Sequence, residues 1–404
     1  MQSVVASERV SFECHDLPRA RCPNCAGRGM RRFYRIAGIP AHSCLLMPTR
    51  EQALRYPQRD LELAVCPACG FIGNIAFDAS VHEYSPTYEE TQGFSPTFSD
   101  FARALARQLV DRYRLQGKTV LEIGCGKGEF LEAMCEFGVG KGIGIDPAYV
   151  PQRRTSPAAK RMEVIQDLYS EDYAHLSADM IVCRHTLEHI HQTLAFLQTI
   201  RRSIDGDRET LLFFEVPDAV RVMREGAFWD IYYEHCSYFS PASLARAFRL
   251  ARFEVTDLTR TYRGQYLLIT AVPTDERTRP ALPMEQEHAS ATLFGTAGPR
   301  VADHWRRVVD QYARRGRRIV LWGSGSKGVA LLTTLGITDQ IEHVVDINPY
   351  RHGKYMPGTG QRIVAPEFLQ TCRPDLVIIM NPVYEPEITA TLDRLGVDAQ
   401  CVTV

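Results

Sequence analysis

The chain has no apolar run near the roughly 18 residues needed to cross a membrane. It also has no charge of one sign to spend: 47 Lys and Arg stand against 48 Asp and Glu, for a net charge of −1. A neutral surface has no field to gather nucleic acid or an acidic bilayer, so neither is expected as a partner. There is no base-flipping Asn/Asp-Pro-Pro-Tyr signature, no fixed-period repeat and no complete phosphate-loop spacing. The first twenty residues carry Glu8, Arg9, Glu13, His15, Asp16 and Arg19, which leaves no room for the apolar core of a secretory leader. A cytoplasmic protein is expected, and its 12 cysteines then read as metal ligands or reduced thiols rather than disulfides. Hydrophobic content of 45% and charged content of 24%, with a mean hydropathy of −0.20, are those of a globular protein. At 404 residues two or three domains are expected.

The most informative stretch is Thr119 to Phe130. An apolar run (Val120, Leu121, Ile123) ends in a Gly-x-Gly-x-Gly turn at Gly124, Gly126 and Gly128, then enters a helical pattern at Phe130, Leu131 and Met134. Glycines there permit positive φ and close approach of backbone to a ligand. A second short strand ends at Asp146, suited to both hydroxyls of a ribose. A third ends at Asp167, followed by Leu168, suited to an adenine. A dinucleotide site expects Gly-x-Gly-x-x-Gly with a pyrophosphate on the helix N-terminus. Here the third glycine comes one residue early, and Glu129 at the helix start would repel phosphate.

These three strand ends resemble the class I S-adenosylmethionine (SAM) methyltransferase fold, an α/β Rossmann-like architecture. The resemblance implies that Glu122 orients the methionine end of SAM and Asp146 holds the ribose. Gly124, Gly126, Gly128, Asp167, Leu168 and His185 complete the cofactor set.

Four segments follow. Residues 1–85 are turn-rich and hold Cys22-Pro-Asn-Cys25 and Cys66-Pro-Ala-Cys69. Two such knuckles present four thiolates to one tetrahedral ion, and a closed four-sulfur sphere implies a structural Zn²⁺. Residues 86–275 are the methyltransferase unit, with strand patterns at 179–183 and 210–216. Two more, at 253–258 and 265–272, have so short a turn between them that they must be antiparallel. Residues 276–310 read as a linker or helical connection, polar to about 300 and helical from about 301. Residues 311–404 form a second α/β unit, with strand patterns at 318–322, 343–346 and 375–380. Its loop Gly323-Ser-Gly325-Ser-Lys327-Gly328, between strand and helix, is suited to phosphate through backbone amides. Two readings of this unit stay open: it only packs on the methyltransferase unit, or it contacts a nucleotide diphosphate, in which case Lys327 is assigned to the phosphates.

In this fold the chemistry sits at the carboxyl ends of the strands. Arg184 to His189 follow the fourth strand; Glu215 to Asp218 and then Phe228 to Phe239 follow the fifth. Adjacent acid, imidazole and phenol groups there suit proton abstraction. The knuckle domain, the element Tyr232-x-Glu234-His235-x-x-Tyr238 and the C-terminal Gly323-x-Gly-x-Lys327-Gly unit together resemble the sugar C-methyltransferases. That family methylates C3 of nucleotide-linked 4-keto deoxysugars in antibiotic biosynthesis. The resemblance covers nearly the full chain and implies catalytic roles for His235 as base and for Glu234, Tyr232 and His189. It leaves Tyr233, Tyr238, Lys327, Gly323 and Gly325 for substrate. The expected partner is a small molecule, a nucleotide-linked keto-sugar, bound by a monomer or weak homodimer. Tyr88 to Phe98 and Gly38 to His42 depart from the family's pattern. A non-sugar acceptor, O- or N-methylation, or a non-catalytic SAM-binding scaffold stay open as alternatives.

Overall fold

The computed structural model describes residues 9–81, 84–154, 156–204, 209–275 and 285–404. The chain builds three sheets. The first is formed by β1 (Val10–Ser11), β2 (His15–Arg21), β3 (Arg28–Pro40), β4 (Gln58–Val65) and β5 (Ile72–Asn74). Its last strand comes from far down the chain: Ser237–Tyr238 pairs antiparallel with Ile72 and Gly73 of β5. The segment after His235 is thereby fixed to the N-terminal sheet, and Phe239 beyond it makes one bridge to Asp218.

The second sheet carries β6 (Thr119–Ile123), β7 (Lys141–Ile145), β8 (Met162–Ile165), β9 (Met180–Arg184) and β10 (Leu211–Pro217) as parallel neighbours. With Ser237–Tyr238 counted as β11, an edge hairpin of β12 (Phe253–Thr261) and β13 (Tyr266–Pro273) closes it. The order is β12-β13-β10-β9-β6-β7-β8, and β13 runs antiparallel to both neighbours, as the short turn requires. Apolar runs such as Met180–Arg184 are buried throughout because helices cover both faces.

The third sheet is all parallel, with β14 (Ile319–Trp322), β15 (His343–Val345), β16 (Arg362–Val364), β17 (Leu376–Ile379) and β18 (Gln400–Thr403) in the order β16-β15-β14-β17-β18. The two outer strands, β16 and β18, were not legible: Arg362–Val364 spans three residues, and Gln400–Thr403 mixes polar and apolar types.

One stretch differs from the sequence reading. Residues 276–284 lie outside the described residues, but helix Glu285–Arg314 begins well before position 301 and runs 30 residues. Its Phe294 is fully buried against Phe12, Phe33 and Tyr34 of the N-terminal sheet. A Cβ at Gly298 would sit 2.3 Å from the Phe12 ring. The polar, glycine-containing pattern that read as linker is a helix with one narrow buried face. Pro299 sits inside it, where the missing N–H and ring normally end a helix; tertiary packing overrides that signal.

The units are joined by a few buried polar contacts. Glu89, with no exposed surface, takes both guanidinium nitrogens of Arg153 at 3.0 and 2.6 Å and the amide of Asn348 at 2.9 Å. Arg351 donates to the Glu89 carbonyl. Gln265 and Asn381 exchange amide hydrogen bonds of 2.9 and 3.0 Å, and Glu387 accepts from Ser95 and Thr97. Removing one partner of a buried pair leaves the other charge uncompensated, at a cost of about 3–5 kcal/mol. Glu89→Ala is therefore expected to lower unfolding free energy by about 3 kcal/mol, read as a drop in urea midpoint. A Glu89/Arg153 double-mutant cycle should show strong coupling.

Candidate active site

A single cavity of about 820 Å³ runs from the first glycine loop to the second, lined at one end by Glu122 to Glu129 and at the other by Gly323 to Gly328. That is within the range of small-molecule sites. Gly124, Gly126 and Gly128 all adopt positive φ (71°, 54° and 79°). A Cβ at Gly124 would lie 2.1 Å from the Thr186 hydroxyl, so no side chain fits there. Asp146 caps this loop from the next strand: its carboxylate accepts from the amides of Gly126 at 2.8 Å and Ala148 at 2.7 Å. Burial nevertheless raises its pKa. Asp167 accepts from the Leu168 amide and the Tyr173 hydroxyl. Leu168 beside it is an exposed apolar side chain on the cavity wall.

Glu122 is buried, and its Oε2 has no hydrogen-bond partner among the described residues. Burial pushes its carboxyl up to about 8, against the pull of Arg184. An orphaned buried carboxylate beside a side-chain-free loop is matched to a ligand that brings donors or positive charge. The glycine loop, Asp146, Asp167 and Glu122 therefore fit SAM.

His185 stands at the tip of β9 with φ of 48°, a left-handed conformation costly for a non-glycine residue. Its ring lies between Glu215 (3.5 Å) and Glu188 (3.6 Å). Burial opposes charge there, yet the two carboxylates prevail and raise it to about 9. Glu215, which burial alone would raise, is held down to about 2 by Arg184 and His185.

The acceptor side is formed where elements from distant parts of the chain meet. His235 is buried and lines the cavity, its ring 4.8 Å from that of His189 and 4.1 Å from that of Tyr232. Burial, then His185 and Lys327, depress its pKa well below the usual histidine value, so its imidazole is neutral. His189 Nδ1 shares a 3.0 Å hydrogen bond with the Tyr84 hydroxyl. Tyr84, Tyr88, Cys44, Glu90, Glu188 and Asp230 also line the space.

The structure redistributes several sequence assignments. Glu234 does not face His235: its carboxylate takes the Ser43 amide and hydroxyl, both at 3.0 Å, and it has no exposed surface. It anchors the Gly38–Cys44 stretch rather than an imidazole. Tyr233 points out of the cavity, its hydroxyl accepting from the Asp78 amide at 2.8 Å. Tyr238 sits in β11, also off the cavity wall. Lys327 does line the cavity, but its ammonium is bonded to Asp230, which also takes Arg221. Gly323 and Gly325 line it too, at the start of helix Ser326–Leu335, whose N-terminus has no side-chain cap.

Sequence reasoning did not find Tyr84, Glu90, Glu188 or Asp230. Tyr84 and Glu90 belong to a loop of no regular structure, whose only mark was its departure from the family pattern. Glu188 was hidden between two histidines. Asp230 was legible only as the one charge in Phe228-Trp-Asp-Ile.

Far from the cavity, Cys22, Cys25, Cys66 and Cys69 gather with all four sulfurs within 4.8 Å of one another. The Cys22–Cys69 and Cys25–Cys66 pairs lie 3.6 and 3.7 Å apart. Four sulfurs on a tetrahedral ion at ~2.3 Å stand about 3.8 Å apart, so the cluster fits zinc without rearrangement.

Comparison with known proteins accords with this geometry. Residues 98–258 match a methyltransferase domain and residues 285–401 a C-methyltransferase C-terminal domain. The chain is 29% identical over 307 residues to the C-methyltransferase NovU of Streptomyces niveus, covering 71% of this chain and 72% of that one. It is 26% identical over 147 residues to the ubiquinone biosynthesis O-methyltransferase of Pseudomonas paraeruginosa, covering 34% and 59%. Among solved structures, the 1,6-didemethyltoxoflavin-N1-methyltransferase of Burkholderia thailandensis aligns over 53% of this chain and 96% of its own, with 18% identity and a TM-score of 0.34.

Glu234 supplies a test of the site's dryness. Burial, opposed by the Ser43 hydrogen bonds, raises its carboxyl to about 7, so the folded state holds this proton more tightly than the unfolded one. Its stabilising contribution is complete below the ordinary carboxylate pKa and is lost as pH rises through about 7. The loss is on the order of 3 kcal/mol. Glu234→Gln cannot titrate, so the stability of wild type minus that of E234Q should fall steadily between pH 5 and pH 8 in urea unfolding. A constant difference would place the carboxylate in water.

Proposed function

We propose that the chain is a SAM-dependent C-methyltransferase whose acceptor is a nucleotide-linked deoxysugar methylated on the carbon next to a ketone. The observation that carries this reading is the neutral, buried His235 at the cavity wall beside His189 and Tyr232. A C–H beside a ketone is too weak an acid for imidazole unless the developing oxygen anion is held.

His235 takes the proton, and His189 or the Tyr232 hydroxyl donates to the anionic oxygen. The Tyr84 hydroxyl holds His189 Nδ1 at 3.0 Å and so fixes that ring beside His235. SAM, held by Glu122, Asp146, Asp167 and the first glycine loop, supplies the electrophilic methyl group that the deprotonated carbon attacks. Burial by the 84–90 loop keeps competing water from the carbanion.

At the far end, the amides of the uncapped helix Ser326–Leu335 face the cavity and suit a diphosphate. With Lys327 already bonded to Asp230, the lysine contributes only if the phosphate draws it away, and the backbone is the main donor set. This arrangement supports a phosphorylated acceptor over a bare ketone. A non-sugar natural product remains the second reading, favoured by the Gly38–Cys44 stretch that Glu234 pins beside the site.

Two experiments test these readings. With a nucleoside-diphosphate-linked 4-keto-deoxysugar, His235→Ala should slow exchange of the α-hydrogen with deuterated solvent by about 10²–10⁴-fold; unchanged exchange would remove His235 as the base. We further propose that the four-cysteine cluster holds one structural zinc. Elemental analysis should give one equivalent per chain, and Cys66→Ser should lose both the metal and the thermal midpoint of the wild type. Zinc retained in that variant would count against the cluster.

A further inference from the structure

The loop that forms the acceptor wall also reaches the cofactor's glycine loop. Lys127, inside that glycine loop, has a side chain with no exposed surface. Its ammonium donates to the Tyr88 carbonyl at 2.7 Å and the Ala148 carbonyl at 2.6 Å. Two residues on, Glu90 lies over Gly126: a Cβ built on that glycine would sit 2.6 Å from Glu90 Oε1. Glu90 lines the cavity. Its Oε2 is shielded from solvent and has no hydrogen-bond partner among the described residues; Lys127 Nζ stands 3.7 Å away, an ion-pair separation beyond a hydrogen bond. A carboxylate oxygen held in this way, over the backbone that carries Asp146, is short of a donor.

We propose that Glu90 is a second cofactor-binding acid, accepting a hydrogen bond from a ribose hydroxyl of the SAM nucleoside on the face opposite Asp146. The ribose is the assigned partner because the glycine beneath Glu90 donates its amide to Asp146 at 2.8 Å, the acid read as the ribose holder. Glu122, at the base of the same loop, serves the other end. The consequence is a link between the two substrates. Tyr84 and Tyr88 stand on the acceptor side of the same short loop, and Glu89 fastens that loop to Arg153 and Asn348. A cofactor held by Glu90 is thereby coupled to the wall against which the acceptor binds. The inference rests on the SAM reading; wild type that bound no adenosyl ligand would fail that reading rather than this one.

The test compares two ligands by calorimetry on the zinc-loaded full chain without acceptor. S-adenosylhomocysteine carries ribose and amino acid, whereas methylthioadenosine keeps the ribose and lacks the amino-acid end. Glu90→Ala should weaken both by the same factor, roughly tenfold or more for a hydrogen bond to a charged group. Loss confined to S-adenosylhomocysteine would assign Glu90 to the ammonium and overturn the ribose contact; no loss with either ligand would overturn the site. If E90A does not fold, E90L, which fills similar space and has no acceptor, is measured against the same two ligands with the same readings.

Discussion

A single buried cation organises this molecule. Lys127 sits in the glycine loop that any SAM site requires to be open, yet its ammonium is spent on two backbone carbonyls and its side chain is stripped of water. An ammonium in that position is tolerable only if it is well coordinated. Two carbonyls from different loops coordinate it, Tyr88 from the acceptor wall and Ala148 from the turn after β7. The Tyr88 loop is paired to Leu45 by an isolated antiparallel bridge, and the lysine adds the fastening that ties this loop to the glycine loop and to the turn after β7.

From that point the joining of the three sheets follows. The dipeptide after Tyr88 divides its labour: Glu89 turns outward to the C-terminal unit through Arg153, Asn348 and Arg351, and Glu90 turns inward over Gly126. On the opposite wall, β11 is drawn into the N-terminal sheet by two pairings with β5, and Glu234 ties the preceding residues to Ser43. His235 lies between these two fastenings, held from both sides by the N-terminal unit. The cysteine knuckles therefore have a role at a distance. Stabilising the N-terminal sheet stabilises the platform on which His235 stands.

The contrast between what was and was not legible in the sequence has a physical cause. The glycine loop, Asp146, Asp167 and the two knuckles rest on short-range chemistry: positive φ, strand-end position and ligand spacing confined to a few residues. The antiparallel edge of β12 and β13 was forced by a turn too short for any alternative. Glu234 was misplaced because adjacency in sequence does not give adjacency in space. In extended or turning backbone, neighbouring side chains point apart, and so an acid beside a histidine more readily serves another partner. Tyr233 turned away for the same reason. Helix Glu285–Arg314 was hidden because its burial is carried by a few small and aromatic residues against Phe12 and Tyr34, which no local periodicity reveals.

The electrostatics of the cavity carry the argument one step further. Glu90, Glu122 and Asp146 are all raised by burial, the first two to about 7 and about 8. Three acids with costly negative charge around one glycine loop make a poor site for an anion and a good one for a ligand with positive charge, whose arrival favours their ionised forms. His235 experiences the opposite bias: burial, then the charges of His185 and Lys327, keep it neutral. The same cavity therefore holds acids that favour a cation and a histidine kept neutral, and burial of these groups sets both states. A residue that opened this cavity would shift both together: the acids would relax toward ordinary ionisation and the histidine toward ordinary basicity. The ionisation of the acids and the basicity of His235 are for that reason coupled through solvent, even where no side chain connects them.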